Sequence, residues 1–385
     1  MEKIFITGIK IDQYRNINNL EIKLSCDTRK HLIITGKNGS GKTSLLELMA
    51  RNFTEKFFIQ DDNANFKTTT VLYARKEIRE YETVGAVNFN IDAKVRKVLM
   101  ISLPAEHLFH APGGFFDMAN MNERYKFIST YEPTESRYKN ILQTMVIMRI
   151  QQLEAKENND KKLFIQSEKW LNVLKDVLST IYENRTLELK YIPREYSYQI
   201  ILDGYEFSLN QMADGFSAFF RIVSEIMERM DNYTGYRCDY TLPGIVLIDE
   251  LETHMHVSMQ KMALGFLTKM FPNLQFLVTT HSPFVITSLE NAVVYDLSRR
   301  ESLESPYQFS YESIIEGYYD IDMYSQKMKE KVDRYNELAF SERSSEEEKE
   351  FSKLRIEMQA VSPAQKELYI AFNNIEKKRK IIENG

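Results

Sequence analysis

The sequence predicts an α/β fold in which ligand chemistry gathers at the carboxyl end of a buried sheet, and three stretches predict it. His31 to Thr35 (HLIIT) runs straight into a glycine-rich loop and a helix. Ile245 to Ile248 (IVLI), entered through Pro243-Gly244, runs straight into Asp249-Glu250. Leu274 to Thr280 (LQFLVTT) runs into His281-Ser282-Pro283-Phe284. Short apolar runs rich in β-branched residues and bounded by turn residues read as buried strands. Open α/β sheets place their ligands outside the carboxyl ends of such strands.

Taken in order, the chain opens with alternation at Ile4, Ile6, Ile9 and Ile11, then Leu20, Ile22 and Leu24, which reads as two half-buried strands. HLIIT is the third strand, followed by a helix from about Thr43 to Phe53. VGAVNFNID and KVLMISL read as further strands before the turn at Pro104. From about Arg137 to Tyr182 the pattern is helical: NILQTMVIMRIQQLEAKE and SEKWLNVLKDVLSTIYE, joined by the polar NNDKK. Each helix is roughly 20 residues, or about 30 Å, long. LELKYI and SYQIIL resume strand character, and a helix is expected from Asp214-Gly215 through FFRIVSEIMERM. An amphipathic helix from about Met259 to Phe271 leads into LQFLVTT. The last 70 or so residues are polar and mostly helical, with acids at Glu346 to Glu348 and a basic run at Lys377 to Lys380.

At 385 residues the chain exceeds the size at which one core usually keeps growing, so one large domain with an insertion, or two lobes, is expected. A net charge of -5 carries no global nucleic-acid signature, which confines any DNA contact to a local patch. Two cysteines, Cys26 and Cys238, are too few for a disulfide framework and fit a reducing cytosol. No signal-peptide stretch or membrane span stands out, so the expectation is a soluble, cytoplasmic protein with no membrane partner.

Gly36-Lys37-Asn38-Gly39-Ser40-Gly41-Lys42-Thr43, with Ser44 following, fits the Walker A pattern between a strand and a helix. The glycines let backbone N–H groups wrap phosphates, and the helix N-terminus adds its positive dipole end. Lys42 is expected at the β/γ-phosphates of ATP and the Thr43 hydroxyl at Mg²⁺. The chain is therefore expected to be a P-loop NTPase. Asp249, after four apolar strand residues, is then the Walker B aspartate that holds Mg²⁺. Glu250 falls beside the γ-phosphate, where a carboxylate can orient or deprotonate the attacking water. A second reading of DELETHMH is a zinc site of Glu252, His254 and His256. It would duplicate the Mg²⁺ site next door, and the two histidines are instead expected in a loop that crosses to a neighbouring subunit. His281, at another strand end, is placed to donate a hydrogen bond to the γ-phosphate or the water. Asp214-Gly215 at a helix start is a further candidate anion contact.

Walker A, a Gly-led helix, Walker B with an adjacent Glu, and a strand-end His, in that order, resemble the ABC-ATPase head of the SMC/RecF/OLD group. DELETHMHVSMQ is similar to that group's Asp-Glu-x-Glu-x-His-x-His stretch, and TTHSPF to its switch-histidine segment. DQYRNI resembles its first-strand motif, in which the arginine, here Arg15, approaches the nucleotide. The segment LPAEH (Leu103 to His107) and the tail YSQKMKEKVDRYNEL also resemble segments of the group, the tail those of its defence-associated members.

The resemblance implies four regions. Residues 1–130 form the N-terminal half of the head, with the β-lobe and Walker A. Residues 131–184 form an inserted helical hairpin, 185–300 the C-terminal half, and 301–385 a helical extension. It also implies two heads sandwiching two ATP molecules, as a homodimer or higher homo-oligomer, with Asp214-Gly215 of one facing the Walker A loop of the other. The signature serine is replaced here by Ala213, leaving that contact to Ser217 or the Gly215 amide. The insert is too short for a long coiled-coil arm. Asp320 and Asp322 offer an Asp-x-Asp pair, yet no strand-end glutamate motif precedes them to complete a TOPRIM nuclease. The function implied is Mg²⁺-dependent ATP hydrolysis that gates head assembly in a bacterial anti-phage defence system, with a separate effector, a nuclease. The rivals are a RecF-like repair ATPase with DNA as partner, and a slow ATP-gated scaffold.

Overall fold

The computed structural model describes residues 4–55, 59–61, 67–75, 81–91, 97–103, 113–117, 127–128, 141–182, 186–208, 214–234, 240–303, 306–315, 326–359 and 366–383. The chain divides into two compact units, Met1–Phe309 and Ser310–Gly385.

The first unit begins with β1 (Ile4–Tyr14), β2 (Ile17–Lys23), β3 (His31–Thr35) and α1 (Lys42–Glu55). Strands β4 (Ile59–Asp61), β5 (Lys67–Arg75), β6 (Tyr81–Ile91), β7 (Lys97–Leu103), β8 (Gly113–Asp117) and β9 (Phe127–Ile128) follow. Next come α2 (Ile141–Glu157), α3 (Lys161–Ile181), β10 (Glu188–Ile192), β11 (Ser197–Leu202), β12 (Tyr205–Ser208) and α4 (Asp214–Thr234). The unit closes with β13 (Gly244–Ile248), α5 (Val257–Gln260), α6 (Ala263–Met270), β14 (Leu274–Thr279), α7 (Pro283–Ile286), β15 (Ala292–Asp296) and β16 (Glu301–Leu303).

The central sheet has the order β16-β15-β3-β14-β13-β7-β8-β9. Its middle strands β15, β3, β14, β13 and β7 are parallel, while β16, β8 and β9 pair antiparallel at the edges. All three strands expected from the sequence to carry chemistry therefore lie side by side and end at the same edge. This is the expected α/β architecture, a largely parallel sheet with the Walker A segment between β3 and α1.

A second, antiparallel sheet, β2-β1-β6-β5-β4, covers one face of the first. Ile4, Ile6, Ile9 and Ile11 of β1 share one apolar cluster with Leu32 and Ile34 of β3, Leu45 and Met49 of α1, Ile245 and Leu247 of β13, and Leu277 of β14. Val246, Ile248, Phe276 and Val278 are equally buried and alternate to the other face, as strand geometry requires. There α6 packs on β14 and α4 on β7.

Two helix boundaries differ from the sequence expectation. Helix α3 starts at Lys161 rather than Ser167, because the Asp160 carboxylate in NNDKK caps it, accepting from the Leu163 N–H at 3.0 Å. The single helix expected from Met259 to Phe271 is two, α5 and α6, broken at Lys261-Met262. Strands β5, β15 and β16, which the pattern did not suggest, belong to these two sheets, and β12, equally unsuggested, joins β10 and β11 in a third.

The second unit holds α8 (Tyr311–Ser313), α9 (Gln326–Phe340), α10 (Ser345–Gln359) and α11 (Lys366–Glu383). Its core joins Tyr335, Leu338, Phe351, Leu354, Met358 and Ile375, with Tyr335 stacked on Phe351 at 5.2 Å between centroids. Among the described residues of the chain, no helix is long and apolar enough to cross a membrane. Cys238, Ala213, the Asp320/Asp322 pair and most of the LPAEH segment lie outside the described residues.

Candidate active site

The loop after β3 takes backbone conformations that its glycines permit. Gly36, Gly39 and Gly41 have φ of 137°, 78° and 105°. A Cβ on Gly36 would sit 2.9 Å from the hydroxyls of Ser40 and Ser298, and one on Gly41 would meet Ile17 at 2.8 Å. Side chains distant in sequence brace this loop. The Asn16 amide donates to the Gly39 carbonyl, and Ser298 Oγ accepts from the Lys37 N–H at 2.7 Å. Ser298 is itself held by Asp296, whose Oδ1 accepts its N–H at 2.6 Å and that of Arg299 at 3.0 Å. Within the loop, Ser40 Oγ is buried and has no hydrogen-bond partner among the described residues.

Lys42 is buried, and its Nζ donates to the Gly36 carbonyl at 2.9 Å and to the Lys37 carbonyl at 3.3 Å. Burial lowers its pKa, while the carboxylates of Glu250, Asp249, Glu252 and Asp296 oppose that shift. Thr43 is exposed at the first turn of α1. Arg15, at φ 51° in the turn after β1, reaches that helix, donating to Ser44 Oγ at 3.1 Å and pairing with Glu47 at 2.9 Å.

At the end of β13, Asp249 donates its N–H to the Leu103 carbonyl of β7 at 2.9 Å, which carries the sheet pairing one residue further. Asp249 Oδ1 accepts from the Thr279 hydroxyl at 2.5 Å. The same hydroxyl oxygen accepts the Glu250 N–H at 2.7 Å, so Thr279 of β14 clamps both acids. Glu250 sits at φ 47°, a left-handed turn that takes the chain sharply out of the strand, and its Oε2 accepts from Thr253 at 3.2 Å. Strained backbone of this kind persists where surrounding bonds over-determine it.

His281 follows β14, half-buried. Burial lowers its pKa first and the Lys42 charge adds to that, against Glu252, Glu250 and Asp249. A pKa below the usual 6.5 leaves the ring neutral at pH 7, with one N–H to donate and one lone pair to accept.

The structure thus gathers Lys42, Asp249, Glu250 and His281 at one edge of the sheet. Asp214 and Gly215 begin α4, and the side chains of residues 214–217 lie outside the described ones. Glu252, His254 and His256 do not converge. Glu252 bonds toward His281, His254 is exposed, and His256 Nδ1 caps α5, accepting from the Ser258 N–H at 3.3 Å. Among the described residues no three His, Cys, Asp or Glu side chains are grouped to hold a metal. Sequence reasoning missed Asn16, Thr279, Glu252 and the Asp296–Ser298 brace as parts of the site. Two of these left a signal: the Thr279-Thr280 pair, as small hydroxyls beside the histidine, and Glu252, as the second glutamate of DELETHMH, read only as a zinc candidate.

Residues 126–287 match the family profile described as "AAA domain, putative AbiEii toxin, Type IV TA system". The chain is 24% identical to the Septu protein PtuA of Bacillus mycoides (strain KBAB4), over 90% of this chain and 49% of that protein. It is 29% identical to the retron Vc95 probable ATPase of Vibrio cholerae serotype O1 biovar El Tor, over 41% of this chain and 32% of that protein. Among solved structures, an SMC head bound to the C-terminal winged-helix domain of ScpA aligns over 79% of this chain and all of that one, at 13% identity and a TM-score of 0.39. The chain spans about half or less of the length of these curated relatives.

Proposed function

We propose that this chain is an ABC-type P-loop ATPase head that hydrolyses ATP, with Lys42, Asp249, Glu250 and His281 as its working residues. One observation carries the reading: those four side chains, brought from three separate strand ends, act on one another electrostatically at a single edge of the parallel sheet. The residues suit the ligand. The glycine cradle is closed to any Cβ at Gly36 and Gly41, and the orphaned Ser40 hydroxyl is a ready donor to a phosphate oxygen. The oxygen donors of Thr43 and Asp249 suit a hard divalent cation. Mg²⁺ held there supplies positive charge that neutralises the phosphate oxygens.

The backbone amides of residues 37–43, with Lys42, hold the β- and γ-phosphates, and Arg15 and Ser44 flank them. Glu250 orients a water and takes its proton as the water oxygen bonds to the γ-phosphorus. The bond from that phosphorus to the β,γ-bridging oxygen breaks, and ADP and phosphate leave. His281, neutral, donates from its ring to the γ-phosphate. Asp214-Gly215 of a second head completes the site in a homodimer or higher homo-oligomer. The relative named a probable ATPase supports the hydrolysis. The tail's resemblance to defence-associated members of the group motivates a role in anti-phage defence, with nucleotide state controlling a separate effector nuclease.

Glu250→Gln tests the chemistry: ATP binding persists and turnover falls about 10²–10⁴-fold, the usual weight of a general base. Near-wild-type hydrolysis by that variant overturns the assignment. Copurification with proteins encoded beside it tests the effector. Strong stimulation of the ATPase by linear duplex DNA, lost steeply with salt, turns the reading towards repair or DNA sensing.

A further inference from the structure

We infer that Glu252 is the positioning residue for His281, the group that fixes where its ring meets the γ-phosphate; this rests on the reading of His281 given above. Both oxygens of the Glu252 carboxylate are engaged by the segment that follows β14. Oε1 accepts the main-chain N–H of His281 at 2.5 Å, and Oε2 accepts the Thr280 hydroxyl at 2.7 Å. Bonds to a carboxylate of this length are charge-assisted and among the stronger ones a side chain makes.

The contact belongs to a circuit. Thr280 Oγ1 accepts the Ser282 N–H at 2.9 Å, and the Ser282 hydroxyl donates to Gln260 Oε1 at 2.7 Å. The Gln260 amide donates to the Met255 carbonyl at 2.9 Å, returning the circuit to the segment that carries Glu252. The loop after β13 and the loop after β14 are thereby locked together two residues beyond Glu250.

What makes this a matter of mechanism is the ring of His281. Among the described residues it has no hydrogen-bond partner; the residue is anchored only through its backbone, and that anchor is Glu252. The ring must therefore be aimed from below, and an error of about 1 Å in such a group costs rate rather than binding. Thr279 does the equivalent for Asp249 and Glu250. Adjacent threonines of one strand end thus register the water-activating and phosphate-sensing sides against each other.

The test uses the full chain with Glu252→Ala, Glu252→Gln, His281→Ala and the double variant Glu252→Ala/His281→Ala, measuring kcat and KM for ATP and the Kd of a fluorescent ATP analogue. The expected result is a kcat at least tenfold lower for Glu252→Ala, with Kd within twofold of wild type. Glu252→Gln keeps an oxygen for the His281 N–H and recovers to within about threefold. The double variant is no slower than His281→Ala alone, because Glu252 acts through that ring and coupled sites are not additive. Losses that multiply in the double variant, or a Glu252→Ala enzyme at wild-type rate, overturn the inference. A His281→Ala enzyme at wild-type rate overturns it too, by removing the reading on which it rests. If Glu252→Ala does not fold, Thr280→Val cuts one arm of the same contact and is expected to lower kcat at unchanged Kd; no change in kcat overturns the inference.

Discussion

Gln275→Leu is the substitution whose cost can be worked most directly from the structure. Gln275 is the second residue of β14 and is fully buried. Its Oε1 accepts the Ile6 N–H at 2.7 Å, and its Nε2 donates to the Ile6 carbonyl at 3.1 Å and to the Lys30 carbonyl at 2.7 Å. Ile6 pairs with Phe89 of β6 on one side, and β2 begins its pairing with β1 only at Gly8. The glutamine amide therefore stands in for a neighbouring strand, joining the antiparallel lobe to the parallel sheet. Leucine keeps the volume and strands three backbone groups, the two of Ile6 fully buried and the Lys30 carbonyl partly so. At about 1–3 kcal/mol for each unsatisfied group, offset by the added apolar burial, the expected loss is about 3–6 kcal/mol. Against a total stability of roughly 5–15 kcal/mol, that is a large fraction. Trp170, the one tryptophan in the chain, is buried in α3 of the same unit, so its fluorescence reports unfolding in urea. A shift of less than about 0.5 kcal/mol would refute the reasoning, since it lies within the scatter of ordinary surface changes. Gln275→Glu is expected to be at least as harmful, because a carboxylate would face two carbonyl oxygens.

Gly41→Ala forces a Cβ to within 2.8 Å of Ile17 at a φ of 105°. ATP affinity is expected to fall at least tenfold, about 1.4 kcal/mol or more, read by titration with a fluorescent analogue. His31 is buried, accepts the Phe276 N–H at 3.0 Å on Nδ1, and is held neutral with its pKa lowered to about 3 by burial, Arg29 and Lys30. The unfolded chain takes up the proton that the folded one refuses. Stability therefore falls as pH drops from 6.5 towards 3, by up to about 1.4 kcal/mol per pH unit, and His31→Gln removes that slope from the urea midpoints. Glu376, in the C-terminal unit, accepts from Tyr335 at 2.5 Å, Arg355 at 3.0 Å and Arg379 at 3.0 Å and 3.1 Å. Burial alone would raise its pKa, but Arg379, Tyr335 and Arg355 outweigh it and hold the carboxyl at about 2. The resulting stabilisation, about 2–3 kcal/mol, is present above pH 4.5 and lost as pH falls towards 2. Glu376→Gln should speed amide exchange in α9 and α11 at pH 7; unchanged exchange would show the network to be idle.

The readable parts of the site share a physical trait: their spacing is local. A glycine loop between a strand and a helix needs its residues consecutive, because adjacent backbone amides wrap the phosphates. Asp249 and His281 stand out because a buried strand is a short apolar run and the polar residue that ends it is conspicuous. The residues that escaped notice act across the fold. Asn16 reaches Gly39, and Asp296 and Ser298 reach Gly36 and Lys37, through contacts that no local pattern encodes. Glu252 lies inside a conspicuous stretch, but the only role its composition suggested was as a ligand in a disfavoured zinc site. Strands such as β5 and β15 were missed because their alternation is weak and the strands they pair with are remote in sequence or themselves unmarked.

Sequence by itself determined the α/β class, the loop that wraps phosphate and the strand ends that carry acid and imidazole, since each depends on neighbours a few residues apart. Only the tertiary structure decided which strands lie side by side, which threonine clamps which acid, and where the His281 backbone is anchored. Those depend on contacts between residues some 30 to 270 positions apart, as when Thr279 meets Asp249 or Gln275 meets Ile6. A chain's local preferences do not carry such pairings; they form only when the apolar faces of β1, β3, β13, β14 and α1 are buried against one another.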